Sequence, residues 1–184
     1  ALERYTTGLL ADTADKTAAA LGRVVPETNG QQLQELLTRT AWDAAAMDRL
    51  RIATMVARAS VGDGVVIIDD TGFAKKGTHS VGVARQYSGT LGRVDNCQVL
   101  VSAHYVDRVF DWPITARLFL PEAWATDAAR RRVAQVPPAV RFQTKGAIAL
   151  DLLDAGRAAG GPAATVVSDA GYGAQPTFLD GLET

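Results

Sequence analysis

Residues 62–80 read GDGVVIIDDTGFAKKGTHS, and the reading of this stretch decides the fold. Val65, Val66, Ile67 and Ile68 form a continuous β-branched run, the pattern of a short strand covered on both faces. The run ends in two adjacent carboxylates, Asp69 and Asp70, and the lysines Lys75 and Lys76 follow. A second run of the same kind, TVVS at 165–168, ends in Asp169. In open α/β sheets, sites form at the carboxyl ends of strands, because the strand fixes the acid while the loop beyond it stays open to ligand. An aspartate in that place is also a common turn former or helix N-cap. Successive side chains on a strand point to opposite faces, so only one of Asp69 and Asp70 faces a ligand.

On the N-terminal side the pattern is helical and alanine-rich to about Ala59, and it changes at Gly62. NGQQLQELLTRTAW places Leu33, Leu36, Leu37 and Ala41 at helical spacing after an Asn29-Gly30 turn. WDAAAMDRLRIATMVARA starts another helix, with Asp43 as a candidate N-cap. On the C-terminal side, HSVGVARQYSG and NCQVLVSAHYV read as two further strands joined by a turn at Gly89–Gly92, completing a three-strand antiparallel meander. Residues 110–141 are rich in Pro and Trp and read as an irregular insertion. TKGAIALDLLDAGRAAGG is a helix closed by Gly160-Gly161, and PTFLDGLE opens a last helix with Pro176 in its first turn. The expectation is an α/β chain: a helical segment over 1–60, then a mixed sheet with flanking helices over 61–184. The αβ crossover before TVVS requires that strand to lie parallel to, and beside, the VVII strand.

Composition narrows the function. The 184 residues are 47% hydrophobic and 21% charged, which suits a folded domain rather than a disordered segment. A lone Cys97 excludes an internal disulfide framework and a multi-cysteine zinc site, and fits a reducing cytoplasm. No apolar run approaches the roughly 18 residues of a membrane span, and no signal peptide opens the chain. The net charge of −1 carries no global nucleic-acid signature, so such binding must come from local basic patches. Lys75, Lys76, Arg85 and Arg93 are the candidates for DNA phosphate contacts. Carboxylates brought together at a sheet edge repel one another unless a divalent cation joins them, and Mg²⁺ takes one or two carboxylates plus water and phosphate oxygens.

The wording of the longer motifs is more specific. IIDDTGFAKKGTHSVGVARQYSGTLGRVDNCQVLVS, RLFLPEAW, VPPAVRFQTKGAIALDLL and VVSDAGYG together resemble the insertion-sequence transposases of the DDE superfamily. The resemblance covers the chain beyond about residue 30. It implies a ribonuclease H-like catalytic core and DNA cleavage and strand transfer dependent on Mg²⁺ or Mn²⁺, by two aspartates and a glutamate. Carried over by position, Asp69 matches the first acid, with Asp70 as the alternative, and Asp169 matches the second. All three are candidate metal ligands. The glutamate expected on a helix downstream of DAGYG has no counterpart before Thr184, and Glu183 comes too early. Two functions follow as expectations: a bacterial transposase or transposase fragment acting on element ends in the nucleoid, with a homodimer as a possible assembly, or a truncated, inactive relative that binds DNA or a partner as a regulator.

The remaining chemistry-bearing residues read as structural. His79 and His104 have no ligand-spaced partner, and Cys97 sits in an apolar strand. Trp42, Trp112 and Trp124 read as packing residues, Arg130–Arg132 as a helix face beside solvent, and GYG after Asp169 as a tight turn.

Overall fold

The computed structural model describes residues 1–58, 63–161 and 165–183; the expected change of character at Gly62 and the 60/61 boundary lie outside these residues. The chain divides into two compact units, Ala1–Ala44 and Ala45–Thr184. The first unit contains α1 (Leu2–Leu10), α2 (Ala18–Val24) and α3 (Gly30–Thr38). Helix α3 starts where expected, because the Asn29 side chain accepts a hydrogen bond from the Gln32 amide at 2.9 Å. Leu21, Leu33 and Leu36 are buried in this unit, whereas Leu37 is exposed.

In the second unit, α4 (Ala44–Val56) precedes a mixed five-stranded sheet. Strand β1 (Val65–Ala74) pairs antiparallel with the long β3 (Arg93–Val106), from Val65 opposite Val106 to Ala74 opposite Cys97. On its other side β1 pairs parallel with β5 (Thr165–Ser168), with Ile68 beside Ser168. The short β2 (Ala84–Ser88) and β4 (Asp111–Leu118) pair antiparallel with successive stretches of β3. A mixed sheet with an antiparallel group, one parallel neighbour and flanking helices is the expected α/β, ribonuclease H-like arrangement. The first three strands are not the expected meander, however: the long β3 lies between β1 and β2. Its C-terminal stretch pairs with β1 along the whole of that strand, while only its first residues reach β2.

Two differences from the sequence reading have physical causes. Val66 and Ile68 are buried, but Val65 and Ile67 are only half-buried, so β1 is fully covered on one face rather than two. Residues 110–141, which read as irregular, carry β4 and the short helices α5 (Glu122–Ala125) and α6 (Ala128–Val133). Proline removes a ladder donor and so hides a strand from pattern reading. Here Pro113 sits where the register shifts between Ala103 and His104, a bulge that tolerates it. The Arg51 guanidinium of α4 donates to the carbonyl oxygens of Pro113 and Ile114, satisfying backbone groups that the bulge displaces.

The core lies between the sheet and α7 (Lys145–Ala158) and α9 (Pro176–Leu182). Val66, Ile68, Val101, Ala103 and Tyr105 meet Ile148, Leu152, Leu153 and Phe178 there. Each valine, leucine, isoleucine or phenylalanine among them contributes roughly 1.5–3 kcal/mol when fully buried. A satellite cluster of Val83, Leu120 and Trp124 anchors α5 and α6. The Trp124 indole donates to the Val83 carbonyl at 2.8 Å, and the Arg130 guanidinium lies 3.6 Å above its ring. Among the described residues no helix is long and apolar enough to cross a membrane.

Candidate active site

Alternation along β1 sets the two acids apart. Val66, Ile68 and Asp70 share the face that packs on the helices, and Asp69 lies on the other face, exposed. The Asp69 carboxylate accepts from the Asp70 amide at 2.7 Å. Asp70, where the apolar run gives out on the core face, is held from two sides. The Lys145 ammonium donates to Oδ2 at 2.5 Å, and the Tyr172 hydroxyl donates to Oδ1 at 2.5 Å.

Asp169 belongs to the same construction. It follows β5 directly and caps α8 (Ala170–Gly173), its Oδ1 accepting from the Tyr172 amide at 3.2 Å. Thus the backbone of Tyr172 meets one acid and its hydroxyl meets another. Tyr172 is 3% exposed, and its ring packs on Phe178 with centroids 5.4 Å apart. Burial raises the pKa of its hydroxyl well above the ordinary tyrosine value. The hydrogen bond to Asp70 and the negative charges of Asp70, Asp169 and Asp69 raise it further. All three carboxylates therefore act electrostatically on one hydroxyl.

The glycine of the DDTG motif serves packing. A Cβ on Gly72 would lie 1.9 Å from the hydroxyl oxygen of Ser88, which is buried, so the β1 backbone passes that side chain only as glycine. Helix α7, which delivers Lys145, is fixed at its start by Thr144, whose hydroxyl accepts from the Ala147 amide at 3.1 Å. Asp151, further along α7, accepts from Arg117 at 2.6 Å and from Gln143 at 2.9 Å. Those two donors hold its carboxyl below the usual aspartate range, the Gln143 hydrogen bond being the larger cause.

Among the described residues no group of three or more His, Cys, Asp or Glu side chains is placed to hold a metal ion. The donor chemistry of Asp70 and Asp169 is nonetheless of the kind that a hard divalent cation takes. Asp70 and Asp169 offer carboxylate oxygens only, and Mg²⁺ needs no more than one or two from protein. The Lys145 ammonium already occupies the position of a positive charge on Asp70.

The expected DNA contacts divide. Lys75 and Lys76 are exposed just beyond β1, where Asn96 binds the Lys75 and Gly77 carbonyls at 2.6 and 3.0 Å. At strand rise, Lys75 stands roughly 17 Å from Asp70 along the backbone. Arg85 is exposed on β2. Arg93 is turned back onto Asp95, donating through Nε at 3.0 Å and Nη2 at 2.7 Å. Of the residues read as structural, Cys97 and Trp124 are buried, and GYG forms the one-turn helix α8 rather than a tight turn.

Sequence reading passed over Lys145 and Tyr172. Each left a signal: a lysine at the first position of a helix, where the macrodipole disfavours a cation, and a tyrosine three residues after an N-capping acid.

The chain is 32% identical over 114 residues to a probable transposase for insertion sequence element IS701 from Microchaete diplosiphon. That stretch is 62% of this chain and 30% of the relative, so the chain spans well under two thirds of the curated relative it matches. No solved structure gives a significant match. The family model described as DDE superfamily endonuclease matches residues 1–184, and the chain belongs to that family.

Proposed function

We propose that the chain forms part of the catalytic centre of a transposase that cuts DNA phosphodiester bonds and transfers the freed strand. In this reading Asp70 and Asp169 are the carboxylates that hold a divalent cation, Mg²⁺ or Mn²⁺. Asp69, first in line by sequence position, braces the backbone instead. When bound, the cation supplies charge stabilisation at the attacking and leaving oxygens of the phosphate.

The chain's own residues do the positioning. Strand β1 carries Asp70 to the edge of the core, Tyr172 fixes one of its oxygens, and Asp169 fixes the turn that holds Tyr172. Lys75, Lys76 and Arg85 meet the DNA backbone, and Arg93 orders Asp95. The observation that carries the reading is the shared tyrosine, whose hydroxyl meets Asp70 and whose amide meets Asp169, both just beyond the paired stretch of two parallel, adjacent strands.

The test is metal-dependent nicking of DNA bearing the ends of the element. Asp70→Asn and Asp169→Asn should each lower the rate by at least about a hundredfold, since removing one transition-state charge contact costs several kcal/mol. Asp69→Asn should stay within about tenfold of wild type. A greater loss in Asp69→Asn than in Asp70→Asn would reverse the assignment of the two acids.

A further inference from the structure

The ion pair between Lys145 and Asp70 stands in an awkward place. Lys145 is the first residue of α7, where unpaired amide N–H groups make the helix end positive and disfavour a cation. The Lys145 side chain is only 30% exposed and that of Asp70 only 23%, so neither charge keeps its full hydration. The partner is a flexible stem with a point charge, not the rigid fork of an arginine that fixes a carboxylate permanently. The Phe119 ring lies 5.7 Å from the same ammonium and offers it a second resting place.

These features describe a removable charge. Resting on the assignment of Asp70 as a cation ligand, we propose that Lys145 is an exchangeable counter-ion. It neutralises Asp70 while no metal is held, and it gives way when a divalent cation takes that carboxylate. The site thus remains charge-balanced in both states, and metal binding has to compete with an internal cation. Once displaced, the ammonium stays within the length of its own stem from the site, beside the Phe119 ring. Lys145 is a positioning residue in this account, since it acts through Asp70.

The experiment measures binding of Mn²⁺ alone, by calorimetry, to the wild-type protein, Lys145→Gln, Lys145→Arg and Asp70→Asn. Thermal melting checks that each variant is folded. Lys145→Gln should bind Mn²⁺ about three- to tenfold more tightly, the scale of one half-screened charge at contact distance. Lys145→Arg should bind like wild type or more weakly, and Asp70→Asn should bind weakest.

Equal or weaker binding by folded Lys145→Gln, with wild-type binding still dependent on Asp70, overturns the counter-ion and leaves the ligand assignment standing. Absence of Asp70-dependent binding in both wild type and Lys145→Gln overturns both. A second measurement needs no variant. Labelling of Lys145 by an amine-reactive ester in the wild-type protein should rise when Mn²⁺ is added, because the ion pair masks the amine. Unchanged or reduced labelling counts against the exchange.

Discussion

Tyr172 and Asp70, 102 residues apart in sequence, share a hydrogen bond of 2.5 Å across the join between β1 and α8. The hydroxyl is buried and its acceptor carries charge, so the bond belongs to the stronger class. Tyr172→Phe keeps the ring against Phe178 and removes only the donor. It should destabilise the protein by about 1–3 kcal/mol in denaturant titration, with Lys145 still on Asp70. Unaltered stability would mean that water replaces the hydroxyl at no cost.

The same bond sets a dependence on alkaline pH. The folded-state pKa of Tyr172 is raised above the unfolded value, so the folded hydroxyl keeps its proton when the unfolded one has lost it. Stability should therefore be fully present below about pH 10 and fall as pH rises beyond it. Tyr105, also raised by burial, contributes in the same direction. Tyr172→Phe should remove part of this alkaline loss in melts recorded from pH 8 to 11, and a curve identical to wild type would contradict the assignment.

At the acid end, Asp151 works with the opposite sign. Its folded pKa is lowered, so its contribution is present above the unfolded value near 4 and fades as pH falls through the folded one. The carboxylate is 46% exposed and screened, which limits the effect. Asp151→Asn should cost under about 1 kcal/mol at neutral pH and flatten the acid limb of stability. Urea titrations at pH 7 and pH 3 would measure both.

Gly72→Ala tests how closely β1 passes Ser88. The added methyl would lie 1.9 Å from the Ser88 hydroxyl oxygen and 2.7 Å from its Cβ. Overpacking of this kind costs about 1–3 kcal/mol, and Ser88→Gly in the same chain should recover part of it. Additive costs in that double-mutant cycle would show that the two positions do not touch.

Salt dependence separates the basic residues. Each phosphate contact contributes about 0.9 to the slope of log affinity against log salt. Replacing Lys75 and Lys76 together by Gln should lower that slope by about 2 in fluorescence anisotropy with duplex DNA. Arg93→Gln should barely change it, because Arg93 is spent on Asp95. A large change for Arg93 and none for the lysines would move the DNA path off the Lys75–Lys76 loop.

How much of this could be read beforehand depended on whether the signal was local. Val65–Ile68 and Thr165–Ser168 carry their strand pattern in their own residues, and the crossover rule is enough to make them parallel neighbours. The long β3 shows its alternation from Cys97 to Tyr105. Strand β4 stayed hidden because Pro113 forbids an ordinary ladder, and only the bulge against His104, with Arg51 behind it, makes room. Which of Asp69 and Asp70 lies on the core face was not legible at all. Both follow the same run, and the difference lies in which face α7 and α8 cover. Lys145 and Tyr172 escaped for a related reason: their partner Asp70 lies 75 and 102 residues away in the chain.

The pairing of an even-handed apolar run with a doubled acid has a consequence for tolerance to insertion. Val65 and Ile67 are as strand-forming and as apolar as Val66 and Ile68. Were β1 to shift by one residue against its neighbours, every side chain would change face, yet the core would still receive a valine and an isoleucine. Asp69 would then arrive where Asp70 now meets Tyr172. The strand thus holds a spare carboxylate, and Gly72 keeps the register: the same slip would bring Thr71 to the place where only a glycine passes Ser88.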